Sequence, residues 1–177
     1  MKKTILVCGL IAGIIVSVFM VTSAAMCYKS EDFDGSIVLG YASMLLAFSL
    51  IFVGVKNYRD KFSNGNVSFG KAFTIGLYIT LIASTVYVIV WLFDYYIFVP
   101  DFMEKYAAHV IRQSQAEGLT GAEMQQKVAE MDGYKEMYKS PIMIILFTYL
   151  EILPVGLVVS LLSALILKRT PTQQMSA

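Results

Sequence analysis

Four long stretches free of charge constrain this chain more than any other feature. Thr4 to Tyr28, Gly35 to Val55 and Ala72 to Phe93 carry no charged side chain. Ser140 to Leu167 carries one, Glu151. A bilayer core of roughly 30 Å is crossed by about 20 helical residues at about 1.5 Å each. Each run is long enough. None alternates polar and apolar residues as a barrel strand would. The chain has 177 residues, 57% hydrophobic and 15% charged, well below the quarter or so charged in a soluble domain. The fold class read from this is an all-α integral membrane protein in one membrane domain, 1–177. Its spans are expected at about 4–27, 36–56, 71–98 and 141–167, with a loop at 57–70.

The net charge of +1 conceals a segregation. Met1–Lys3, the loop Lys56–Lys71 and the tail from Lys168 together hold eight Lys/Arg and one acid, Asp60. Lys29–Asp34 and Asp94–Lys139 hold six Lys/Arg and eleven acids. Short cytoplasmic loops keep the Lys/Arg excess. Both termini are therefore expected in the cytoplasm, with the long 94–139 segment outside. The first span has an alternative as a signal peptide, with Lys2-Lys3 ahead of it and Ser23-Ala24-Ala25 as a cleavage-like site. Its apolar stretch exceeds the usual length, about 7–15 residues, and Met26 before Cys27 does not suit a lipoprotein site. Cys8 and Cys27 lie nineteen residues apart on this span, roughly 28 Å along a helix. A disulfide needs Cα atoms within about 7 Å; both read as small apolar filler.

Loops and ends carry further signals. A tight turn is expected around Lys29–Asp34. In the 57–70 loop, Asn64-Gly65 marks a turn. Phe62, Val67 and Phe69 alternate with polar residues, as in a segment lying on the membrane surface. Lys56, Arg59, Lys61 and Lys71 are candidate lipid-headgroup ligands, or simply set orientation. Trp91, Phe93, Tyr95, Tyr96 and Phe98 resemble an interfacial aromatic belt, with Asp94 where water begins. Pro100 ends or bends that helix. Residues 101–139 read as an extracytoplasmic helical hairpin. Met103, Tyr106, Ala107, Val110 and Ile111 share one face, and Met124, Val128, Met131 and Met137/Tyr138 share the other. Gly118 occupies a C-cap position; Thr120 and Glu123 form a capping box.

Little in the sequence carries chemistry. His109, the one histidine, reads as a solvated helix residue. Asp101 and Glu104 suit a helix N-terminus better than an acid–base pair. No metal-ligand spacing, phosphate-cradling loop or nucleophile triad is present, so no enzyme, cofactor or nucleic-acid partner is expected. Glu151 stands apart. It lies nine residues in from Ile142 and sixteen from Leu167, within the hydrocarbon. An acid at the bilayer centre costs about 2.5–3.5 kcal/mol on insertion scales, so it is expected to face the bundle interior. Thr22, Tyr41, Ser43, Thr85 and Tyr87 lie at matching depth, and a neutral Glu151 hydrogen-bonded to a Tyr or Thr is the simplest arrangement. Pro154 leaves the Leu150 carbonyl free one turn away.

Two small-residue stripes complete the pattern. Gly9, Gly13 and Ser17 on the first span and Gly156, Ser160 and Ala164 on the last let backbones approach closely. They are expected to pack on each other, antiparallel. The loop "NYRDKFSNGNVSFGKAFTIGL" and the closing "YKSPIMIILFTYLEILPVGLVVSLLSALILKR" resemble the bacterial membrane proteins grouped as domain of unknown function 4199. The resemblance implies four spans in a bacterial cytoplasmic membrane and no reaction. Tyr58, Arg59, Gly65, Phe69, Gly70, Lys71, Glu151, Pro154 and Gly156 match its motif, with no known role attached. The functional expectation is a non-enzymatic structural or adaptor protein among membrane lipids, with the hairpin as lid or protein-partner site. The alternative is a proton-coupled small transporter or channel-like protein using Glu151. Because four helices enclose little volume, it would call for a homo-oligomer.

Overall fold

A computed structural model describes residues 2–31, 33 and 36–169. Part of the turn expected around Lys29–Asp34, at Asp32 and Asp34, lies outside them. Six helices make up the described chain: α1 (Lys2–Ser30), α2 (Ser36–Phe62), α3 (Phe69–Ile97), α4 (Phe102–Ala116), α5 (Gly121–Tyr138) and α6 (Pro141–Leu167). α1, α2, α3 and α6 are long and apolar enough to cross a membrane. The architecture is that of a multi-pass membrane protein. The spans are apolar all round, and size rather than polarity decides which face turns inward. On α1, Gly9, Ala12, Gly13 and Val16 are buried while Leu10, Ile14 and Val18 are exposed. With lipid as apolar as leucine, close packing selects small residues for the interior.

α3 is the common partner. It packs most extensively against α6 and α1, while α2 touches α1, α6 and α3. The two small-residue stripes do not meet, as the sequence reading expected them to. A Cβ on Gly9 would sit 2.7 Å from Ile82 Cβ, and one on Gly13 2.7 Å from Val86 Cβ and 3.1 Å from the Ala83 carbonyl oxygen. This matched four-residue step makes α1 and α3 parallel neighbours. On α3's other side, Gly156 abuts Thr80 and Phe48, and Gly76 abuts Ser160. That order is antiparallel. α3 offers a small or short residue to each flank, Ala83 towards α1 and Gly76 and Thr80 towards α6. The glycine stripes therefore close on the helix between them. Thr80 and Ser160 hydroxyls share a buried hydrogen bond of 3.1 Å at this seam.

The end of the bundle near the chain termini is densely filled. Phe48, Ile51, Ile75 and Ile79 are essentially inaccessible. α2 runs on to Phe62, so the connection to α3 shortens to 63–68. Asn64 and Gly65 adopt positive φ (48° and 78°) at its turn, and Ser68 caps α3 by accepting from the Lys71 amide. Val67 is buried rather than spread on a surface, and its backbone pairs with Arg169 in both directions, at 3.0 and 2.9 Å. The connection is thereby pinned to the end of α6. Phe62 and Phe69 remain exposed.

At the other end, α4 and α5 pack on each other and cover the bundle. Gly118 (φ 88°) lets the chain leave α4, but Thr120 caps α5 without a side-chain hydrogen bond. The expected aromatic belt divides here. Phe93, Tyr96 and Phe98 are exposed, whereas Trp91, Tyr95 and Asp94 are buried. Asp94 is therefore covered by protein rather than open to solvent. α4 and α5 cover that side of α3, with Phe102 on Trp91 and Tyr138 beside Tyr95.

Candidate functional site, a roofed cavity beside Glu151

The α4–α5 pair is fastened by contacts of two kinds. Phe33, just after α1, packs edge-on against Phe102 and Tyr106, with centroids 5.5 and 5.6 Å away, and lies 5.4 Å from the His109 ring. His109 is thus a packing residue of the roof. Phe102 also meets Trp91 at 5.2 Å, and Tyr138 stacks on Phe147 of α6 at 6.0 Å. The second kind is polar. The Tyr28 hydroxyl donates to Asp101, Lys105 lies 3.8 Å from the centre of the Tyr28 ring, and Lys105 and Arg112 approach Glu31 at 3.8 and 3.7 Å. The Tyr28 hydrogen bond holds the Asp101 carboxyl below the usual carboxylate range.

Beneath this roof is a cavity of about 390 Å³. Its walls come from all four long helices: Ser23 and Ala24 of α1, Ser43 of α2, Tyr87 and Trp91 of α3, Thr148 and Glu151 of α6. Phe102, Tyr106, Tyr134 and Tyr138 supply the roof. No lysine or arginine lines it. Burial, with the Glu151 carboxylate as a second cause, pushes the Tyr138 phenol up to about 12. Tyr138 therefore stays a neutral donor at ordinary pH.

Glu151 is not sealed in the core; it is exposed at the cavity's edge. It lies ten residues into α6 from Pro141, about 15 Å along the axis. Among the described residues no hydrogen bond or ion pair engages its carboxylate, and both threonines at matching depth are bonded elsewhere. Thr22 donates back to the Val18 carbonyl, and Thr85 pairs with Tyr149 at 2.9 Å. Tyr41 is about half exposed and lines no wall. Of the residues matched by depth, Tyr87 and Ser43 share the cavity with Glu151; Thr22, Tyr41 and Thr85 do not. Pro154 is exposed, within an α6 that continues through it.

Of the candidate headgroup ligands, Lys56, Lys61 and Lys71 are exposed. Arg59 is buried, with its Nε donating to Asp60 at 2.7 Å and its carbonyl accepting from the Gly65 amide. It braces the turn. Lys71 also lies 5.8 Å from the Tyr58 ring centre. Among the described residues no group of His, Cys, Asp or Glu is placed to hold a metal ion.

The roof residues were the part of the site that sequence reasoning did not assemble. The sequence places Trp91 in an interfacial belt and Tyr138 on a hairpin face. The signal was their density of tyrosine and phenylalanine at the end where the last span carries its one acid.

No curated protein and no solved structure matches this chain. Residues 8–169 match the family model described as "Protein of unknown function (DUF4199)", and the chain belongs to that family.

Proposed function

We propose that this chain is a non-enzymatic protein of the bacterial cytoplasmic membrane that binds a small ligand beneath an outward-facing α4–α5 hairpin. The observation that carries this reading is the roofed cavity of about 390 Å³ bordered by Glu151. Ligand pockets of roughly 300–1,000 Å³ are typically apolar and aromatic with a few placed polar groups. The aromatic faces of α4 and α5 are already committed to the bundle, which favours a lid over a free adaptor surface. Orientation rests on the Lys/Arg excess at the termini and across Lys56–Lys71.

Native mass spectrometry of the protein released in mild detergent tests the binding reading. Wild type should retain a small molecule that Ala24→Phe, which fills the cavity, loses. Bare protein in both, or the same adduct in both, would overturn it. For orientation, membrane-impermeant thiol reagents on whole cells should label Gln126→Cys and not Lys61→Cys; the reverse pattern inverts the topology.

A second reading is proton-coupled transport, favoured by the position of Glu151 at the cavity edge. It requires a pH-driven flux in proteoliposomes that Glu151→Gln abolishes. The adaptor role would instead show as a stable protein complex lost on deleting residues 101–139.

A further inference from the structure

We propose that the cavity takes a hydrophobic monovalent cation, an amine or quaternary ammonium on an apolar body, with Glu151 as its counter-ion. The inference rests on the ligand-binding reading above and names the ligand's class. Three observations converge on it. First, the cavity contains a carboxylate and no basic side chain. An ionised acid about 15 Å down a membrane helix is costly without a partner. Within the described protein Glu151 has neither a hydrogen bond nor an ion pair, so the compensating charge is left for a ligand to bring. An anion would find no positive group there.

Second, the walls suit a cation. Trp91, Tyr87, Tyr106, Tyr134 and Tyr138 line the same space. Aromatic faces attract ammonium groups within about 6 Å of the ring centre, most strongly when water is excluded. Tyr138 is neutral at ordinary pH, so it adds a ring and a donor hydroxyl without a competing charge.

Third, the segment that covers the cavity is net negative. From Asp94 to Lys139 there are eight acids and five Lys/Arg, a difference of three negative charges. A net negative segment raises the local concentration of cations. All five cations are committed to other groups or absent from the cavity walls. Lys105 and Arg112 engage Glu31, Lys127 engages Glu130, Lys135 engages Asp132, and Lys139 engages Glu136. A proton alone would neutralise Glu151 but would leave the aromatic volume empty.

Trp91 is the single tryptophan, so its fluorescence reports directly on this cavity. The full-length protein in lipid nanodiscs should be titrated with phenyltrimethylammonium, with benzenesulfonate, and with tert-butylbenzene, the neutral counterpart of the cation. The expected result is a saturable Trp91 response to the cation alone. Glu151→Gln should weaken it about tenfold or more, as loss of one partner of a desolvated charge pair does, while Glu151→Asp should retain most of it. Equal responses to cation and sulfonate would overturn the proposal, as would unchanged affinity in Glu151→Gln. Saturable binding of tert-butylbenzene in preference to the cation would also overturn it, yet leave a ligand cavity in place. Should no probe bind while wild type still carries a native adduct, the cation is excluded and the ligand reading survives. The cation–sulfonate comparison needs no variant, so a misfolded mutant does not compromise it.

Discussion

The two ends of this bundle are built on opposite rules. Near the chain termini, small residues bring α1 and α6 onto α3 until backbones nearly touch, and four large side chains of α2 and α3 fill what remains. Under α4 and α5, large aromatic residues stand around a space they do not fill. A core packed to native density has little use for such a space, since each unfilled methyl-sized gap costs stability. The contrast separates work. One end sets the helix arrangement, and the other holds a carboxylate of an apolar helix with room beside it.

The sharpest way to break this comparison is to insert bulk where it forbids it. Gly156→Leu and Gly13→Leu should each cost about 3 kcal/mol or more, or prevent assembly, because the nearest neighbours are the short β-branched side chains of Thr80 and Val86, with the Ala83 carbonyl behind, rather than the ends of long flexible ones. Thermal melting in detergent reads this, and an unchanged midpoint would dissolve the distinction. At the other end, Tyr138 predicts alkaline sensitivity. Its folded pKa lies above the unfolded value, so its contribution is whole below about pH 10. It is lost as pH rises towards 12. Unfolding there should become easier by about 1–3 kcal/mol, and Tyr138→Phe should remove that component of the pH profile. A smaller effect is expected at the α3–α6 seam. Thr80→Val breaks a buried hydroxyl pair and should cost about 0.5–1.5 kcal/mol. The smallest belongs to the cavity wall. Ser23→Leu adds volume where there is space, and its melting shift should stay within about 1 kcal/mol of wild type. A large loss there would mean that the cavity end is as tightly specified as the other.

The four apolar helices were legible because charge is absent over whole bilayer-crossing lengths, a signal independent of tertiary context. The α4 face was legible from helical period; on α5, Met131 is buried but Met137 is exposed. The pairing of the stripes was not. Gly9 and Gly156 each announce a close approach, but a glycine carries no address for its partner, and α3 hides its complementary residues among Ile and Val. Glu151 was visible as an anomaly, and of the polar residues matched to it by depth Tyr87 and Ser43 line the cavity with it. Depth alone also admitted Thr22 and Tyr41, because it fixes height along a helix but not the direction a side chain takes around it. The cavity itself arises from α4 and α5 folding over the bundle, a long-range event that no local pattern encodes.

The backbone pairing of Val67 with Arg169 bears on how the molecule is made. It joins the α2–α3 connection, synthesised early, to residues reached only after α6 is complete. During synthesis the first three spans can enter the bilayer and settle on one another, but this clasp stays open until the segment around Arg169 has emerged. The densely packed end of the bundle is therefore the end that closes last. A chain stopped within α6 would leave bare the face of α3 that packs on α6.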